Sequence, residues 1–171
     1  PIAGVADEGG WWPNFASNED ALDTLTAAIA AAGYRPGEEV FISLDMAANE
    51  FCVDGRYRMA LDGAQLEGGQ MVELMVDWAN RYPILSIEDP AGQDDWQTMA
   101  AVVAALGDRV QIIGDDVLVT NAARVERAAA GHVCNAALIK VNQIGTLSEA
   151  KQALVAARAA GWGTIVSARS G

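Results

Sequence analysis

Five short apolar runs, at 40–44, 84–87, 110–113, 137–139 and 164–166, alternate along the chain with stretches of helical spacing. That alternation constrains the fold more than any other feature. Neighbouring parallel strands need a crossover of a dozen or more residues, and helices between strands supply it, so the pattern predicts an α/β chain with a parallel sheet.

The helix boundaries carry physical punctuation. Ser17 with Asp20 is a capping-box pattern, Leu22, Leu25 and Ile29 form a stripe, and Gly33 followed by Pro36 ends the first helix. A second helix over 70–80 places Met71, Leu74, Met75 and Trp78 on one face. Asp94 or Asp95 opens a third helix that Gly107 ends. Thr120 or Asn121 opens a fourth, closed by Gly131, and a last one runs over 147–160 to Gly161. Between the first two helices Asp54-Gly55 separates 51–53 from 56–59, the strongest short hairpin signal. The expected fold is a partial (β/α) barrel of about five parallel strands with a small β-hairpin excursion. No GxGxxG or GxxxxGK[ST] follows a strand, which speaks against a nucleotide-binding open sheet. A complete eight-fold barrel needs about 250 residues, so 171 residues supply part of one. The chain is read as one domain over 1–171. Pro1 at the start and the end at Ser170-Gly171, right after an apolar run, suggest a piece of a longer protein.

Charge and cysteines bound the function. With 23 acidic against 11 basic side chains the net charge is -12, which makes nucleic acid and membrane surfaces poor main partners. Apolar stretches are broken before reaching the roughly 18 residues of a spanning helix. Two cysteines, Cys52 and Cys134, form no CxxC and no disulfide framework, which fits a reducing compartment, and a cytoplasmic location is expected.

The chemistry gathers at the strand ends. Each predicted strand terminates in an ionisable or hydroxyl residue: Asp45, Glu88 with Asp89, Asp115 with Asp116, Lys140, and Ser167 before Arg169. In a parallel α/β sheet these ends meet at one rim, where barrel active sites lie. Asp45, Glu88 and Asp115 would repel one another there unless protons or a cation neutralise them. Oxygen donors without a His or Cys cluster suit a hard ion such as Mg²⁺. Helix capping by solvated acids is the simpler account of any one of the three. Lys140, one of two lysines, has two open readings: a general base, since a nearby cation and a dry setting disfavour an ammonium, or a structural ion pair with one of the acids. Glu8, in Asp7-Glu8-Gly9-Gly10, is a candidate acid in a loop where glycines permit close backbone approach, though an exposed turn also accounts for it. Arg169 and Ser170 offer a guanidinium and a hydroxyl suited to phosphate, or to capping. His132 and Cys134 are given no catalytic role.

In order along the chain, Asp7-Glu8-Gly9-Gly10 with Pro13-Asn14, Leu44-Asp45 with Glu50-Phe51, Ser86-Ile87-Glu88-Asp89-Pro90, Gly114-Asp115-Asp116 and Ile139-Lys140-Val141-Asn142-Gln143-Ile144-Gly145-Thr146 closely resemble the motifs of enolases. The resemblance spans nearly the whole chain and implies the middle of the enolase barrel domain, without the N-terminal domain and the last barrel units. It implies a Mg²⁺-dependent hydro-lyase of glycolysis interconverting 2-phosphoglycerate and phosphoenolpyruvate. Asp45, Glu88 and Asp115 would hold the metal, Lys140 would take the C2 proton, Glu8 would assist loss of the C3 hydroxyl, and Arg169 and Ser170 would bind phosphate. A small phosphorylated carboxylate is the implied substrate and a homodimer the implied state of the full-length protein. Two features depart from the pattern. Ala168 stands where enolases carry His, and Trp11-Trp12 replace a smaller or single-aromatic pair. Both lie at the substrate end. Two alternatives therefore accompany the lyase reading: a paralogue with altered substrate, such as a carboxyphosphonoenolpyruvate synthase-like enzyme, and a non-catalytic scaffold.

Overall fold

The computed structural model describes residues 2–6, 9–61 and 63–169. Five parallel strands form its centre: β3 (Ile42–Asp45), β7 (Ile84–Glu88), β8 (Gln111–Gly114), β9 (Ala136–Ile139) and β10 (Gly163–Val166). Ahead of them lie a short antiparallel pair, β1 (Ile2–Val5) and β2 (Trp11–Pro13), and the helix α1 (Asn18–Ala31). The excursion after β3 holds β4 (Cys52–Val53), β5 (Arg56–Arg58) and β6 (Gln65–Leu66). The remaining helices are α2 (Gly68–Arg81), α3 (Trp96–Leu106), α4 (Ala122–Ala130), the short α5 (Val141–Ile144) and α6 (Leu147–Ala159).

The spatial order β10-β9-β8-β7-β3 follows the chain order without a reversal. An open doubly wound sheet reverses direction at a switch point, whereas a barrel winds one way throughout. The structure is therefore α/β with an arc of a TIM-type barrel, plus small antiparallel hairpins, as the sequence predicts. The pairs β1–β2 and β5–β6 had no signal strong enough to predict them. The strands are two to four residues long and rest on local register alone.

Caps fall where the side chains can make them. Ser17, Asp95, Asn121 and Thr146 each accept a backbone N–H three residues on, so Asp95 rather than Asp94, and Asn121 rather than Thr120, open their helices. In the stripe of α1 only Leu22 is buried, and Leu25 is 48% exposed. The Asp54-Gly55 turn has φ of 52° and 72°, the left-handed pair that a two-residue hairpin needs and that Gly supplies without strain.

Two cores sit on the two faces of the arc. The larger, between sheet and helices, includes Ile42, Ile87, Ile112, Ala137 and Ile139 with Met71, Met75, Trp78, Met99, Val102 and Val125 from the helices. The smaller, on the inner face, is Ile113, Ala136 and Leu138 with Ile165 against it. Register explains the partition. Glu88 pairs with Ile113, Ile113 with Ala136, and Ile165 with Leu138, so these side chains share the inner face. Asp45 pairs with Glu88 and Ser43 with Ser86, whose hydroxyls meet at 2.5 Å.

A register shift between Ile42 and Ser43 skips Leu85, which has no partner on β3 and is 51% exposed. The extra residue changes the side-chain parity of β7, so Ile84 and Ile87 both face the helices while Glu88 faces inward. The apolar run 84–87 gives no hint of this bulge.

Candidate active site

Because the strands are parallel, their C-terminal ends deliver side chains to one rim. Asp45 ends β3 and Glu88 ends β7, directly opposite each other in register. Asp115 follows β8 by one residue and Lys140 follows β9 by one residue, each two positions beyond an inner-face residue, Ile113 and Leu138. Asp45 and Glu88 lie close enough to feel the charges of Asp115 and Lys140.

Lys140 Nζ donates to Asp115 Oδ2, with side-chain exposures of 16% and 8%. Gln143 Nε2 donates to the other oxygen, Asp115 Oδ1, at 2.8 Å. Thr120, 1% exposed, donates its hydroxyl to Gln143 Oε1 at 2.7 Å and accepts the backbone N–H of Lys140 at 2.9 Å. Asp89 is 3% exposed, and its two oxygens accept the backbone N–H groups of Asp115 at 2.9 Å and Asp116 at 2.7 Å. It straps the end of β7 to the loop that carries Asp115.

The acids of the other side have fewer partners. Asp45 Oδ1 accepts the backbone N–H of Ala47 at 3.0 Å. No hydrogen bond reaches the Glu88 carboxylate among the described residues. Partial removal from water, then the charges of Asp45 and Asp115, push Glu88 up to about 7. Asp45 is raised too, by loss of water and by Asp115, against the N–H of Ala47 and the charge of Lys140. Burial raises Asp89 to about 7 despite its two N–H donors, and burial with the Asp115 charge raises Asp116. The rim holds more negative charge than its single lysine neutralises.

Two carboxylate sets share Asp115. One is the predicted trio Asp45, Glu88 and Asp115. The other is Asp89, Asp115 and Asp116, each of which offers an oxygen within 4.8 Å of the others, a spacing that could hold a metal ion. The strap bonds already occupy both oxygens of Asp89, which favours a scaffolding part for it. The donors are all oxygen, and Asp115 keeps lone pairs beyond its two hydrogen bonds, so the residues present fit a hard divalent cation.

A family model described as "Enolase, C-terminal TIM barrel domain" matches residues 2–171. The chain belongs to that family. Barrel enzymes carry their active sites at the C-terminal rim, and the strand ends at that rim here are those of Asp45, Glu88, Asp115 and Lys140.

Of the other predicted residues among those described, Arg169 makes no hydrogen bond to this cluster. Arg169 is exposed, three residues past β10, with φ of 51° and a hydrogen bond of 3.5 Å to Ser167 Oγ. Glu8 and Ser170 lie outside the described residues. Trp11 and Trp12, on the β1–β2 hairpin, are 74% and 63% exposed. Sequence reasoning assigned no part to Gln143 and treated Thr120 as a helix cap. A signal existed for Gln143, three residues after Lys140, since a turn of helix there returns its side chain to the strand end. None existed for Thr120, whose role depends on a turn with unusual dihedrals.

Among the described residues no helix is long and apolar enough to cross a membrane.

Proposed function

We propose that this enolase-family chain carries the metal and base side of a Mg²⁺-dependent hydro-lyase that interconverts 2-phosphoglycerate and phosphoenolpyruvate. The observation that carries the reading is the Lys140 amine resting on Asp115 at the rim where Asp45 and Glu88 also end. Asp45, Glu88 and Asp115 would hold Mg²⁺. When bound, the cation supplies positive charge to the substrate carboxylate as the α-proton leaves, the stage at which charge accumulates. Lys140, in its neutral amine form, takes the proton from C2 through Nζ, and Thr120 and Asp115 fix both ends of that residue. Glu8 assists departure of the C3 hydroxyl, and Arg169 with Ser170 binds the phosphate. The setting is cytoplasmic, and the substrate is a small phosphorylated carboxylate.

The test is phosphoenolpyruvate formation from 2-phosphoglycerate by the intact protein with and without Mg²⁺. Turnover that requires Mg²⁺ and disappears in Lys140→Met supports the reading. Absence of turnover in a protein that still binds Mg²⁺ directs attention to the second reading, a paralogue with an altered substrate. Ala168 and the exposed pair Trp11 and Trp12 favour that alternative, because all three change the substrate end and leave the acids and the lysine in place.

A further inference from the structure

Val119 and Thr120 are consecutive β-branched residues with φ of 45° and 53°. Branched side chains avoid this region because their Cβ substituents meet the backbone, and a pair in succession persists only where the surroundings demand it. The turn is fastened at its start, where the N–H groups of Leu118 and Val119 both bond the Asp115 carbonyl at 3.0 and 2.7 Å. At its end it delivers one hydroxyl, that of Thr120, into a buried position between Lys140 and Gln143.

The polarity of the resulting ring follows from which groups can donate. The Lys140 N–H can only donate, so the Thr120 oxygen accepts from it and must send its own hydrogen elsewhere. That hydrogen goes to Gln143 Oε1, which fixes the amide so that Nε2 faces Asp115, a carboxylate able only to accept. The lysine ammonium closes the circuit on the second oxygen. Each member thereby orients the next, and the Asp115 carboxylate is held in one plane with a lone pair left on each oxygen.

We propose that Thr120 and Gln143 are positioning residues, which set the orientation of Asp115 toward a divalent cation and anchor the backbone of Lys140 at the same time. This rests on the metal site of the proposed function and names residues that the reaction does not itself use. The strained turn is the device that places the hydroxyl.

Mn²⁺ titration of the chain, followed by the electron paramagnetic resonance of the free ion, tests the proposal, with circular dichroism to establish folding. Thr120→Val keeps the shape and deletes the hydroxyl, and Gln143→Leu deletes the amide. Each is expected to weaken Mn²⁺ binding by about tenfold, the usual effect of removing a partner that orients a metal ligand. Thr120→Ser keeps the hydroxyl with less crowding and should bind within about twofold of the parent. The double variant should be no weaker than either single one, because the two residues act in series. A purely structural role would lower thermal stability in Thr120→Val and leave Mn²⁺ affinity alone, and that result overturns the relay. If Thr120→Val does not fold, Gln143→Leu decides: unchanged affinity there also overturns it. A parent chain that binds no Mn²⁺ overturns the relay and the metal site together, whereas a parent that binds and variants that bind equally overturn the relay alone.

Discussion

The rim has two unlike halves. At β8 and β9, the buried Asp115 and the half-buried Lys140 are joined, and Gln143, Thr120 and the Asp89 strap hold them from several directions. At β3 and β7, Asp45 and Glu88 face each other in register with one backbone N–H between them. The first half is organised by the protein alone. The second is left with charge that only protons or a cation can offset, and partial removal from water together with the neighbouring acids raises Glu88 to about 7. A site that must admit an ion has reason to be finished on one side and unfinished on the other.

Several experiments would break or sharpen this contrast. The largest effect belongs to Lys140→Met, expected to lower kcat by about 10²–10⁴-fold, the range for loss of a general base. Retained Mg²⁺ binding, measured by calorimetry on the same sample, would separate a lost base from a lost metal site.

Asp115→Ala should come next, since it leaves the Lys140 ammonium without its partner. Losing a hydrogen bond to a charged group costs about 1.5–3 kcal/mol, and Asp45 and Glu88 still face the lysine, so Tm should fall by on the order of 5 °C. An unchanged melting curve would show that the pair does not stabilise the fold.

Glu88→Gln is expected to act in the opposite direction. The folded-state value of Glu88, about 7, lies above its ordinary 4.5. Its contribution to stability is therefore complete below pH 4.5 and is lost as the pH rises through 7. In chelator, Tm of the parent should fall between pH 4.5 and about 7, and Glu88→Gln should flatten that slope. Asp89, also raised to about 7, adds the same sign, so part of the slope remains. Added Mg²⁺ should reduce the slope as well. A parent whose Tm climbs over this range would contradict the picture of an unfinished half.

The smallest effect is expected at the bulge. Leu85→Ser replaces an exposed, unpaired side chain and should change stability by less than about 0.5 kcal/mol in urea unfolding. A larger loss would mean that Leu85 is covered in solution.

Much of the scaffold was legible in the sequence for plain reasons. Helical spacing of Met71, Met75 and Trp78, caps such as Asn121, and the Asp54-Gly55 turn are local, and local signals survive in a one-dimensional string. The strand-end acids and Lys140 were also visible, because parallel topology turns a repeated position in the chain into a shared position in space. The Leu85 bulge, the Asp89 strap and the Thr120–Gln143 relay were not. Each depends on which atoms from separate βα units come within hydrogen-bond reach, or on a backbone conformation that the residue types themselves disfavour.

By itself the sequence determined the alternation of strands and helices and the inventory of acids and one lysine at the strand ends. Tertiary structure alone decided which of those acids is bonded and which is left charged. Alternation is set by side-chain burial within a few residues of each position. The division of labour at the rim is set by distances between atoms far apart in the chain, 28 residues for Gln143 and Asp115 and 43 for Asp45 and Glu88, and only the register of β3, β7, β8 and β9 fixes those distances.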